Sequence, residues 1–181
     1  MKRDEYIRIL SELAGPLGPF GTIEYSDKKT NDWYDTFDTD SIDVLIDLLL
    51  NPPSKKELGY EIPEYFDVEL DDALVSIGKK FFAIFLEKIK VLIELKHLRV
   101  TIIYILGGIG HQEGLGVLSG FIENSNDLTD DEIFGLIDSL GRIGGIKAEE
   151  KLEQMKIMYS DQNDILKQIE IWLKNIKNKD K

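Results

Sequence analysis

The feature that most constrains this chain is an internal repeat. Leu106-Gly107-Gly108-Ile109-Gly110 and Leu140-Gly141-Arg142-Ile143-Gly144 align at an offset of 34 residues. The same offset pairs Ile102 with Leu136, Ile103 with Ile137, Leu118 with Leu152 and Phe121 with Met155. An earlier copy, Leu74-Val75-Ser76-Ile77-Gly78, lies 32 residues before Leu106, with Leu86 and Ile89 in the places of Leu118 and Phe121. A unit of this length cannot bury its apolar face alone. A period in the thirties therefore implies helical hairpins stacked so that each covers the next.

Local signals agree. Ile133, Leu136, Ile137, Leu140 and Ile143 recur at three- and four-residue steps, as one buried helix face requires. Thr129-Asp130-Asp131-Glu132 reads as a capping box, and Gly144-Gly145 as a stop. Ala148, Leu152, Met155 and Tyr159 begin another face, and Ile165, Ile169, Trp172, Leu173 and Ile176 a third. Asn163-Asp164 is placed to cap that last helix, and lysines 174, 177, 179 and 181 suit its C-terminal end. Glu5–Leu13 and Ser41–Leu50 read as shorter helices, ended by Gly15-Pro16 and Pro52-Pro53. The stretch Gly21–Thr39 between them is polar, acidic and aromatic.

The phrase spelled by Leu140, Ile143, Gly144, Ala148 and Leu152 resembles HEAT-like repeats of the phycobilisome-lyase type, over roughly residues 68–176. Gly114 and Phe82 replace Ala148 in the other copies. The resemblance implies an all-α fold: a short right-handed α-solenoid of HEAT-like helical hairpins with an irregular acidic N-terminal region. The expected organisation is one domain over 1–181. Residues 1–66 would supply helices and an acidic aromatic cap, and 67–181 the repeats. The family fixes a fold and a mode of contact, not a chemistry, because such repeats occur in enzymes, adaptors and inhibitors.

Charge narrows the function. The net charge is -12, and 15 acidic residues against 4 lysines fall between Glu24 and Asp72. An acidic chain lacks the clustered cations that phosphate backbones and anionic membranes attract, so neither nucleic acid nor membrane is an expected partner. A basic protein is the electrostatic complement. There are no cysteines, which excludes disulfides, thiolate metal sites and a cysteine nucleophile. Acidic residues at the N-terminus and the short length of the apolar runs point to a cytoplasmic protein without signal peptide or membrane span.

The candidate contact lies in the acidic segment. Trp33, Tyr34 and Phe37 are interleaved with Asp35, Asp38 and Asp40, and aromatic anchors flanked by acids suit a basic partner. The alternative is that the aromatics fold back as core and Asp40 caps the next helix. The carboxylates do not follow a calcium-loop spacing, and no metal or other cofactor is expected. Gly107-Gly108-Ile109-Gly110 has neither a preceding strand nor a following Lys or Ser/Thr, so it reads as a repeat turn and not a phosphate loop. His97 and His111 are too far apart for a helical metal pair.

The expected function is therefore a non-catalytic interaction module, an adaptor or an immunity-type inhibitor. The alternatives are an enzyme on the same scaffold, of bilin lyase or DNA glycosylase type, and a structural subunit of an assembly.

Overall fold

A computed structural model of the chain describes residues 1–14, 32–58, 61, 63, 65–124 and 127–179. The regular structure among them is helical, with no strand. Their contacts divide the chain into two compact units, Met1–Phe85 and Leu86–Lys181. The division lies later than the change of character expected near residue 66.

The first unit contains α1 (Arg3–Leu13), α2 (Thr39–Leu50), α3 (Lys55–Leu58) and α4 (Phe66–Lys80). Helices α1, α2 and α4 pack against one another. Their buried side chains fall at helical spacing: Tyr6, Ile7 and Leu10 from α1, Ile42, Leu45 and Leu48 from α2, and Phe66, Leu70, Leu74 and Ile77 from α4. The earliest repeat copy, Leu74–Gly78, thus belongs to this unit. Arg3 ties α1 to its neighbours. Its guanidinium donates to Asp47 at 2.9 Å, to Glu57 at 3.2 Å and to the Asn51 carbonyl at 2.7 Å, where α2 ends.

The start of α2 corrects one expectation: Asp38, not Asp40, is the N-cap. The Asp38 carboxylate accepts from the Ser41 amide at 3.0 Å, and Ser41 Oγ accepts from the Asp38 amide at 3.1 Å. Two amides left unpaired by helix geometry are satisfied reciprocally.

The boundary between the units falls inside α5 (Phe82–Lys90). The second unit continues with α6 (Arg99–Ile109), α7 (Leu115–Glu123), α8 (Asp130–Ile143), α9 (Gly145–Met158) and α10 (Asn163–Lys179). Helix α8 is its centre and packs against α6, α7, α9 and α10. Thr129 and Glu132 form the capping box at its start, with Thr129 N donating to Glu132 at 2.6 Å.

Small residues set how closely these helices approach. A Cβ at Gly107 of α6 would overlap Ser139 of α8, lying 2.7 Å from its Cα. Ser139 is fully buried, and its hydroxyl donates to the Ile103 carbonyl at 2.8 Å. One repeat later, a Cβ at Gly141 would run into the Trp172 ring of α10. The two glycines are the 34-residue pair of the sequence repeat, and each admits the following helix.

The repeat turns are also built alike. Gly110 ends α6 at φ 75° and Gly144 ends α8 at φ 67°, backbone conformations that a Cβ disfavours. The Gln112 side chain, from the turn between α6 and α7, donates to the Gly144 carbonyl at 2.8 Å and the Ile143 carbonyl at 3.4 Å. Acceptors at the end of α8 are thereby met by the preceding hairpin.

Candidate functional site

The six residues singled out from the sequence separate by chemistry. Trp33 and Phe37 are core side chains, 9% and 2% exposed. They pack edge-to-face with ring centroids 4.8 Å apart. Tyr6 of α1 lies 5.8 Å from Trp33 and 6.0 Å from Phe37, and Tyr34 lies 5.4 Å from Phe37. Such pairs add to what burial alone contributes. The aromatic members of the expected contact are therefore inside the first unit, with Tyr34 at its edge.

A turn holds them there. Trp33 O accepts from the Thr36 amide at 2.9 Å and from its hydroxyl at 2.6 Å. Lys80, at the end of α4, donates to the carbonyls of Asp35 at 2.8 Å and Phe37 at 2.7 Å. Its charge is used on backbone, so it leaves the carboxylates of the segment untouched. The side chains of Asp35, Asp38 and Asp40 are exposed. Asp38 is occupied as a cap, and its two hydrogen bonds from Ser41 hold its carboxyl below the usual range. Asp35 and Asp40 have no side-chain partner among the described residues.

A second group of acids, counted in the acidic segment Glu24–Asp72, was not singled out as a site from the sequence. On α4, Phe66, Leu70, Ala73, Leu74 and Ile77 face the core, which leaves Asp67, Glu69, Asp71 and Asp72 on the other sides. None of the four makes an ion pair among the described residues. Burial pushes the carboxyls of Glu69, Asp71 and Asp72 upward, and their mutual repulsion adds to it for Glu69 and Asp71. Asp71 reaches about 7, raised first by burial and then by Asp67 and Asp72. Lys79 partly offsets the rise at Asp72. Glu69 and Asp72 also act on the Tyr34 hydroxyl, raised first by burial and then by their field. Beside them Tyr65 and Val68 are 49% and 54% exposed. The sequence signal was present: the acids occupy the positions that the core face of α4 leaves free.

This arrangement predicts a pH dependence. A carboxyl whose folded pKa lies above its ordinary value binds its proton more tightly folded than unfolded, so stability falls as pH rises from about 4 to about 7. Asp71→Asn is expected to stabilise the protein at pH 8 by on the order of 1–2 kcal/mol, allowing for solvent screening of a half-buried group. It should also flatten the slope of stability over that window. Urea unfolding at pH 4.5 and pH 8 measures both. Equal stability of variant and wild type at pH 8 would contradict it.

Among the described residues, no helix is long and apolar enough to cross a membrane, and no three His, Asp or Glu side chains are grouped to hold a metal ion. No known protein family, curated protein or solved structure matches the chain.

Proposed function

We propose that the chain is a protein-interaction module, an adaptor or immunity-type inhibitor, that binds a basic partner through the acidic surface of its first unit. The observation that carries this reading is the group of carboxylates on α4. Four acids make no ion pair among the described residues, and three of them are raised above the usual carboxylate range, first by burial, which costs the free protein stability. Lys or Arg side chains on a partner would relieve that cost, so the surface is better matched to a bound state than to water. Exposed Tyr65 and Val68 supply apolar contact beside it, and Asp35 and Asp40 extend the same charge. The imbalance is concentrated here: residues 1–85 carry 18 acidic and 9 basic residues, whereas 86–181 carry 16 and 13. The contact expected at Trp33–Asp40 thus becomes a surface of Asp35, Asp40, Asp67, Asp71 and Asp72, with the buried aromatics as its support.

A short HEAT-like solenoid, working in the cytoplasm, is the scaffold we propose for this module. Its support is the pairing of equivalent helices. In the second unit α8 packs on α6 and on α10, and α9 packs on α7, so first helices meet first helices and second helices meet second. The glycine pair Gly107 and Gly141 repeats the same close approach.

The test is affinity capture from native extract, mass spectrometry of what is retained, then calorimetry with the partner so identified. An Asp67→Asn/Asp71→Asn/Asp72→Asn variant keeps side-chain size and removes charge. A basic partner is expected to bind it at least about tenfold more weakly, with a steep salt dependence in the wild type. Equal affinity for variant and wild type would reject the proposed surface.

A further inference from the structure

The second unit holds a cleft of about 730 Å³ between α7 and the turn that precedes α6. Its apolar lining is Ile93, Val117, Phe121 and Leu128. Gly116 and Gly120 also line it, one helical turn apart, and a Cβ at either would meet nothing within 4 Å. At Gly107, Gly135 and Gly141 the corresponding space is filled by a neighbouring helix. Interior glycines weaken a helix relative to alanine, and in α7 no packing among the described residues uses the approach they permit.

The rim is acidic. Glu94 has no ion pair among the described residues. Among the described residues Glu123 pairs only with Lys151, at 3.8 Å, and its side chain is 65% exposed. Arg99 is the cation of the lining, but Asp127 at 3.5 Å and Glu132 at 3.9 Å already face its charge. A small polar ligand would find few free groups converging on it. A helix with a small apolar face and flanking cations matches an apolar floor, open glycines at helical spacing, and an edge where Glu94 has no ion pair among the described residues and Glu123 is exposed and only loosely paired.

We propose that this cleft receives a basic amphipathic helix of a protein partner, its small side chains over Gly116 and Gly120 and a Lys or Arg beside Glu94 and Glu123. The inference rests on the reading of the chain as a binder of basic proteins, and it assigns the second unit a binding site of its own.

The experiment uses the full chain and a labelled synthetic peptide of four helical turns, with lysines on one face and alanine and leucine on the other. Binding is followed by fluorescence anisotropy at low and high salt. Gly116→Leu/Gly120→Leu is expected to weaken binding at least about tenfold by filling the cleft, and Glu94→Lys/Glu123→Lys to weaken it through charge. Gly116→Ala/Gly120→Ala controls for folding: it should raise the thermal midpoint, since alanine favours the helix and meets no neighbour. Binding that survives in the Asp67→Asn/Asp71→Asn/Asp72→Asn variant and is lost in Gly116→Leu/Gly120→Leu belongs to the cleft and not to the α4 acids.

Three results would overturn the proposal. The wild type does not bind the peptide. The leucine variant binds it undiminished, with only the α4 variant losing it, which would leave the acidic surface standing alone. Sedimentation shows a dimer of the wild type that the leucine variant abolishes, which would make the occupant a second copy.

Discussion

Gly107→Val is expected to destabilise the second unit by about 3–4 kcal/mol, the sum of overpacking at a helix crossing and loss of a buried hydroxyl's hydrogen bond. The obstruction is backbone as well as side chain: the added Cβ would sit 2.7 Å from Ser139 Cα. Rotating Ser139 away does not remove the clash, so α6 and α8 must separate. Separation breaks the 2.8 Å bond from Ser139 to the Ile103 carbonyl and strands a buried donor. It also loosens the seat of Gly135, where an added Cβ would lie 3.3 Å from Ile103. Urea unfolding measures the total, and hydrogen exchange assigns it, since protection should fall first in α6 and α8. An unchanged midpoint would show that the crossing is looser than its geometry.

Phe37→Ala is expected to cost the first unit about 3–4 kcal/mol. Phe37 is 2% exposed and touches Tyr6, Trp33 and Tyr34 at ring separations of 6.0, 4.8 and 5.4 Å. Truncation leaves a cavity between α1 and the turn held by Lys80, and near-ultraviolet circular dichroism should lose the signal of the aromatic cluster. Retention of that signal with an unshifted midpoint would refute it. This result bears on how binding is tested. A variant lacking these aromatics would lose its partner by unfolding, so exchange of carboxylate for amide is the change that isolates contact from stability.

What was legible in the sequence is what local chemistry determines. The Thr129–Glu132 box, the core face of α8 and the glycine stop after Ile143 follow from neighbours within a few residues. The stop at Gly110 was legible because Gly144 repeats it, whereas Gly107, Gly108 and Ile109, expected in a turn, lie within the last turn of α6. For Trp33 and Phe37 the sequence left contact and core both open, because Tyr6 of α1 and Lys80 of α4, which hold them inside, lie more than 25 residues away in sequence. The cap of α2 was misplaced by two residues for a narrower reason. Asp38 and Asp40 are both suitable caps, and only the pairing with Ser41 three residues on decides for Asp38. The α4 acids were legible as the positions its core face leaves free, but their burial was not, because burial depends on what packs around α4. Gly15–Asn31, including Gly15-Pro16 and most of the stretch Gly21–Thr39, lies outside the described residues.

Gln112 carries a consequence for how the second unit comes apart. Its amide, rooted between α6 and α7, completes the end of α8, so one hairpin finishes the termination of the next. Loosening the earlier hairpin therefore withdraws a hydrogen bond from the later one even where no apolar contact has been lost. The earlier hairpin closes the later one, and the two should fray together instead of peeling off singly.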